Sequence, residues 1–297
     1  MARKLNTRLL LYVVIFVGVP AGLVVWGLMA GWFSGGDPEV LYQKAEEAFE
    51  QEEHAQAWIH IRDAAKAGGA KDPKVMHLMG DIALKLTPPQ AGQAIQAYRA
   101  TVHLQPDHVD AQRKLTELYV ILQYWQEALT ETKRLQELDP SYGRAYLWEG
   151  RAHLGLAQAE PIQSRKAPLY EAAAAACEAG LQHDPSLLPL YRMLAQTYRQ
   201  LDRPEKVEEV VNLAMQNNPE EADTYLLKSS LLMSDDRTEE AIQTLQKGLE
   251  TVGPNADLYV ALGEAAVSEP DLDAAKKYFS GAIEADPASE NGYLRLA

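Results

Sequence analysis

A single cysteine, Cys177, among 297 residues leaves no means for an intramolecular disulfide framework or a multi-cysteine zinc site. Bases are also in short supply, with 28 Lys and Arg against 42 Asp and Glu and a formal net charge of −14. That balance argues against nonspecific attachment to nucleic acid or anionic lipid through bulk charge. GxGxxG, Walker, GxSxG and HExxH motifs are all missing. The sixteen prolines and nineteen glycines follow no collagen period. What is present is a folding composition: 47% hydrophobic and 24% charged residues exclude a wholly disordered chain.

One long apolar run stands near the start. Residues 9–33, Leu9 to Phe33, form 25 positions without a charge. As a helix they extend roughly 37 Å, enough to cross a hydrocarbon layer of about 30 Å with some tilt. Trp26, Trp32 and Phe33 crowd the far end, where aromatic rings favour the interface. Arg3, Lys4 and Arg8 precede the run, and Asp37 and Glu39 follow it. The positive-inside bias therefore keeps residues 1–8 in the cytoplasm as a basic N-terminus and carries everything after residues 34–38, a short linker, across the membrane. A cleaved signal peptide would have a shorter apolar core. The expectation is an uncleaved single-span anchor, with the rest on the non-cytoplasmic side, periplasmic in a bacterium. Without its three N-terminal bases the remainder carries −17.

Residues 39–297 repeat. Pro73, Pro106, Pro140, Pro185, Pro219, Pro254 and Pro287 recur at intervals of 33, 34, 45, 34, 35 and 33. The long interval fits the others if eleven residues are inserted within Leu156 to Pro168, either lengthening a helix or forming a protruding loop. A proline cannot continue a helix, so each marks a break before a new one. Inside each interval two helical patterns follow one another. A small residue in the first is matched twelve positions later: Ala45 with Ala57, Thr116 with Ala128, Ala195 with Val207, Ser229 with Ala241, and Gly263 with Ala275. Small side chains at those points let two antiparallel helices approach closely.

The stretches Tyr191 to Pro219, Tyr225 to Pro254, and Tyr259 to Pro287 with Ala275, Phe279 and Ala282 carry a specific pattern. It resembles the tetratricopeptide repeat (TPR) family, here a membrane-anchored member. The resemblance implies an all-α chain: an N-terminal transmembrane helix, then a right-handed α-solenoid of about seven helix–turn–helix repeats plus a partial eighth. That partial unit, Asn291 to Ala297, implies either a longer protein or an apolar end left for a partner.

Nothing in the residues reads as an enzyme, and no cofactor or metal is expected. The seven histidines (His54, His60, His77, His103, His108, His153 and His183) show no ligand spacing and read as solvated or half-buried. Cys177 reads as a buried, inert thiol. The family resemblance implies a concave surface lined by the first helix of each repeat. Mapped onto this sequence, it carries Arg113, Arg144, Arg151, Arg192, Gln196 and Arg199 as the partner-binding set. Asp110, Glu117, Leu147, Gln200, Asp223, Leu226, Ser230, Asp257, Val260 and Glu264 lie on the same surface. A guanidinium can hold a carboxylate bidentately, which points to an acidic or carboxylate-bearing protein or peptide. The alternative is that these arginines pair with acids on neighbouring helices. No nucleic acid or small-molecule substrate is expected. The reading is a membrane-anchored scaffold or adaptor, with envelope protein assembly or quality control as the role the resemblance suits. Two rivals stand beside it: a substrate-recruiting arm of an enzyme whose catalytic domain lies beyond Ala297, and an organelle-membrane receptor facing the cytosol.

Overall fold

A computed structural model describes residues 36–268 and 272–296. The expected membrane span at 9–33 and the basic N-terminus at 1–8 lie outside the described residues. No described helix is long and apolar enough to cross a membrane. Among the described residues there are fifteen α-helices, one short 3-10 turn at Gly69–Lys71, and no strand. In chain order they are α1 (Pro38–Glu50), α2 (His54–Lys66), α3 (Pro73–Lys85), α4 (Ala91–Leu104), α5 (Val109–Ile121), α6 (Trp125–Leu138), α7 (Gly143–Ala159), α8 (Gln163–His183), α9 (Leu188–Gln200), α10 (Pro204–Asn217), α11 (Ala222–Ser234), α12 (Thr238–Val252), α13 (Ala256–Ser268), α14 (Leu272–Ala285) and α15 (Glu290–Leu296).

Two compact units result, one ending at Leu118 and the other beginning at Tyr119. In the first, α1 packs on α2 and α3 on α4. In the second, α7 packs on α8, α9 on α10, α11 on α12 and α13 on α14, and α15 lies against α13 and α14. The helix order matches seven hairpins and the first helix of an eighth.

The turns explain the prolines and the acids before them. At Asp37-Pro38, Asp72-Pro73, Asp184-Pro185 and Asp286-Pro287 the aspartate carboxylate accepts the backbone N–H two residues on, at 2.9–3.1 Å. At Asp37 and Asp72 this satisfies a donor that the incoming helix leaves unpaired, at Asp184 and Asp286 it closes the turn just before the helix, and proline presets the backbone angle. Six residues after three of the prolines a tyrosine ties the turn to the helix. The hydroxyls of Tyr146, Tyr191 and Tyr225 donate to the carbonyls of Pro140, Pro185 and Pro219 at 2.9–3.1 Å.

Within hairpins the small residues expected at the crossings are buried. Ala45 and Ala57, Ala195 and Val207, Ser229 and Ala241, and Gly263 and Ala275 are all buried. A Cβ built on Gly263 would lie 2.3 Å from the Phe279 ring of the partner helix, so only a residue without a side chain fits there. Likewise a Cβ on Gly155 of α7 would lie 2.2 Å from the Trp125 ring of α6.

The eleven-residue insertion makes no loop. Helix α7 has 17 residues where the other first helices, α15 apart, have 13, and α8 has 21 where most second helices have 14. The insertion thus divides into four and seven residues, close to one and two helical turns. Both helices lengthen while their buried faces stay in phase. The extension has its own core of Leu154, Ala157, Tyr170 and Ala173.

Four of the turns inside hairpins repeat one geometry. Glu52, Gln123, Asp202 and Asp236 take φ of 60°, 61°, 55° and 58°. Around Gln123 its own N–H reaches Val120 O at 3.2 Å and the next N–H, of Tyr124, reaches Tyr119 O at 2.8 Å. The same pair of bonds occurs at Glu52, Asp202 and Asp236, the arrangement by which a helix C-terminus satisfies its last carbonyls. Left-handed backbone costs a non-glycine residue roughly 1–2 kcal/mol, less for Asp than for Gln. Gln123→Gly is therefore expected to stabilise the protein by about 0.5–1 kcal/mol after glycine's own entropy is subtracted. Asp202→Gly should gain less, and urea-unfolding midpoints of the two variants provide the check.

Candidate functional site

In the second unit the first helices of successive hairpins touch in order: α7 with α9, α9 with α11, α11 with α13 and α13 with α15. In the first unit α1 touches α3. These contacts place the first helices side by side. The residues expected to bind a partner fall on both units: Arg113 belongs to the first, and Arg144, Arg151, Arg192, Gln196 and Arg199 to the second.

Their surroundings differ. Arg113 is half-buried on α5. Arg144 and Arg151, seven residues apart on α7, share a face about 10 Å along the helix axis. Both are exposed, and among the described residues neither has an ion-pair partner. Arg192 is committed: its guanidinium meets Asp223 of α11 at 3.2 Å. Both side chains are more than half exposed, so the pair contributes about 0–1 kcal/mol and chiefly neutralises two charges. Arg199 donates to the Ser234 hydroxyl at 3.2 Å and keeps its charge. Gln196 is exposed between Arg192 and Arg199. The expected cluster of arginines is thus reduced. Internal pairing holds for Arg192, and the exposed unpaired cations of α7 are Arg144 and Arg151.

The first unit holds a network that the spacing of single residues did not suggest. Lys114 of α5 reaches Asp81 of α3 and Asp110 of its own helix, each at 2.8 Å. His77 Nε2 lies 2.8 Å from Asp110 Oδ2, and Tyr98 of α4 donates to Asp81 at 2.6 Å. The His77 and His108 rings are 4.7 Å apart, so two histidines read as scattered meet here. His108 also accepts the N–H of Ala111 at the start of α5. The signal was available: 77 and 110, and 81 and 114, are equivalent positions one 33-residue repeat apart.

Burial pushes the His77 imidazole below its ordinary value, with Lys114 and His108 adding to the shift and Asp81 and Asp110 opposing it. Burial alone would raise the Asp110 carboxyl, but the Lys114 bond and charge and the His77 contact outweigh it and hold the group low. Burial works against the Lys114 ammonium, yet its bonds to Asp110 and Asp81 raise it. His153, in the second unit, is also lowered by burial.

Cys177 is fully buried, and its thiol is pushed up to about 12 by burial, with Glu178 and Glu149 adding to the effect. It is a neutral packing group at physiological pH. Among the described residues no group of three or more His, Cys, Asp and Glu could hold a metal ion.

Two cavities open on the second unit. One, of about 440 Å³, lies at the turns joining α9 to α10 and α11 to α12. Its arginines are already engaged: Arg203 with Glu171, Arg237 with Glu240 in a two-point contact at 2.7 Å, and Arg199 with Ser234. The other, of about 270 Å³, runs between α8 and α10 over a floor of Tyr191, Leu194 and Tyr198. Tyrosine hydroxyls close its ends, Tyr198 bonded to Glu178 and Tyr191 accepting from Asn217 at 2.5 Å.

Residues 222–251 and 256–289, the hairpins α11–α12 and α13–α14, match the family model described as Tetratricopeptide repeat. No curated protein matches the chain. Among solved structures, a tetratricopeptide repeat protein from Parabacteroides merdae is similar over 87% of this chain and 97% of its own, at 16% identity and a TM-score of 0.56. The C-terminal part of a TPR repeat-containing protein from Cytophaga hutchinsonii is similar over 86% and 99%, at 13% identity and a TM-score of 0.57. MamA protein is similar over 63% and 94%, at 14% identity and a TM-score of 0.53. At these identities the likeness is one of fold, and together with the family model it supports an all-α chain of TPR-type hairpins.

Stability should depend on pH through the two lowered histidines. A histidine that binds a proton less readily folded than unfolded contributes stability that is complete above its unfolded value of about 6.5 and is lost as pH falls through its folded value. Unfolding free energy is expected to fall from about pH 7 to about pH 5.5, and His77→Gln with His153→Gln should flatten that slope. Urea titrations at several pH values measure both. An unchanged slope in the double variant would assign the effect to other groups.

Proposed function

We propose that the chain is a membrane-anchored scaffold that binds a protein or peptide partner, acidic or carboxylate-bearing, along the exposed first-helix faces of its second unit. The observation that carries this is the pair Arg144 and Arg151. They are two exposed, unneutralised guanidinium groups on one helix face, in a repeat region, residues 39–297, whose net charge is −16. Arg192 and Arg237, by contrast, are taken up internally, by Asp223 and Glu240. A row of side-by-side helices offers an extended surface for a peptide or a partner's helix, and recognition rather than reaction is the work such a surface performs. The TPR-type fold supports this role by analogy.

The anchor is the apolar run 9–33, with residues 1–8 cytoplasmic and the hairpins on the opposite side, periplasmic in a bacterium. Its support is the length of that run and the bases before it. An anchor holds the binding surface near the bilayer and raises the local concentration of a membrane-proximal partner.

Arg144→Glu with Arg151→Glu should weaken binding of a labelled polyglutamate peptide about tenfold or more, with helicity unchanged by circular dichroism. Unchanged affinity would reject the groove. In spheroplasts of a bacterial host, protease added outside should digest the hairpins without lysis. Digestion only after lysis would place them on the cytoplasmic side.

A further inference from the structure

The groove face of the second unit is not uniform in charge. Its α7 edge carries Arg144 and Arg151, exposed and unneutralised, with Leu147 half-buried between them. Next, α9 contributes the charged Arg199, bonded only to the neutral Ser234 hydroxyl, and the neutral amide of Gln196. The middle is electrically silent: Arg192 and Asp223 cancel across α9 and α11, and α11 adds Leu226 and Ser230. At α13 the sign reverses. Asp257 is exposed and without an ion-pair partner among the described residues, while Glu264 is taken by Arg295 at 2.6 Å. Crossing the four helices in order, unneutralised charge runs from positive through neutral to negative.

We infer that the partner segment is charge-asymmetric: acidic where it crosses α7 and α9, apolar or neutral over α11, and basic where it reaches α13. This rests on the groove reading above and deepens it. Packed helices lie about 8–10 Å apart, so three steps from α7 to α13 cover roughly 24–30 Å. An extended chain advances about 3.3 Å per residue, so the footprint holds about seven to nine residues. The Arg192–Asp223 pair acts as a spacer in this scheme. It fills the centre with a neutral contact and leaves the two ends to select opposite charges. A uniformly acidic segment would gain at α7 and lose at Asp257, since like charges brought together are penalised. The asymmetry also fixes which end of the ligand lies on the long α7–α8 hairpin.

The test uses the detergent-solubilised full chain and four fluorescein-labelled nonapeptides, read by anisotropy at low salt. One has two aspartates at one end, a neutral leucine-containing centre and two lysines at the other. The second has the same composition with the charges alternating, the third is uniformly acidic, and the fourth is uniformly basic. The block peptide should bind about threefold or more tighter than both the alternating and the uniformly acidic peptides, and the basic peptide should bind weakest. Asp257→Lys should weaken the block peptide and strengthen the uniformly acidic one. Arg144→Glu with Arg151→Glu should weaken both. All three positions are exposed, and circular dichroism checks that the fold is kept. Equal binding of block and alternating peptides overturns the inference. So does an Asp257→Lys variant that fails to strengthen the acidic peptide. In either case an acidic peptide that still depends on Arg144 and Arg151 leaves the groove reading standing. Loss of that dependence removes the groove reading and the inference together.

Discussion

Close approach of two helices at a side-chain-free or small position is the constraint on which the rest of this structure depends. At Gly263 the Phe279 ring occupies the space where a Cβ would stand, and at Gly155 the Trp125 ring does the same. Ala45 and Ala57, and Ser229 and Ala241, are small residues buried on paired helices. Each crossing sets the distance between the two helices of a hairpin or between neighbouring hairpins. Since interiors pack at crystal-like density, a change of one methyl group at a crossing has to move a helix. The exposed residues of the first helices are held in register by these contacts.

Repetition carries the register from hairpin to hairpin. Lys114 meets Asp81, Arg203 meets Glu171, Arg192 meets Asp223, and Gln246 bonds to Tyr278, pairs separated by 33, 32, 31 and 32 residues. A separation close to one repeat is what stacked hairpins dictate, because equivalent positions on neighbouring units lie side by side. The exposed pairs among these, Arg192–Asp223 and Arg203–Glu171, add little stability singly. Their effect on the surface is larger: they decide which charges are cancelled and which stay exposed. Arg192 is neutralised by Asp223, while Arg144 and Arg151 stay exposed without an ion-pair partner among the described residues.

The hairpin order was legible because it is written in local chemistry: prolines after aspartates, and small residues twelve apart. The division of the eleven-residue insertion was not, since periodicity alone does not distinguish a loop from two lengthened helices. Whole-turn additions of four and seven residues kept both buried faces in phase, and Leu154, Ala157, Tyr170 and Ala173 closed a core around them. The candidate arginines were legible as surface positions, but their pairing was not, because it depends on contacts between neighbouring helices. The His77, Asp81, Asp110 and Lys114 network escaped for a related reason. Its members look ordinary one at a time and become a cluster only when residues one repeat apart are superimposed.

The crossing constraint is tested most directly by a size exchange at one hairpin. Gly263→Val should destabilise the protein by about 2–3 kcal/mol through overpacking. Trimming the facing ring, Phe279→Leu, should return a large part of that loss when the two changes are combined, a coupling of about 1 kcal/mol or more in a double-mutant cycle of urea-unfolding free energies. Strict additivity of the two substitutions, or a Gly263→Val variant as stable as the parent, would contradict close helix approach as the determinant of the fold.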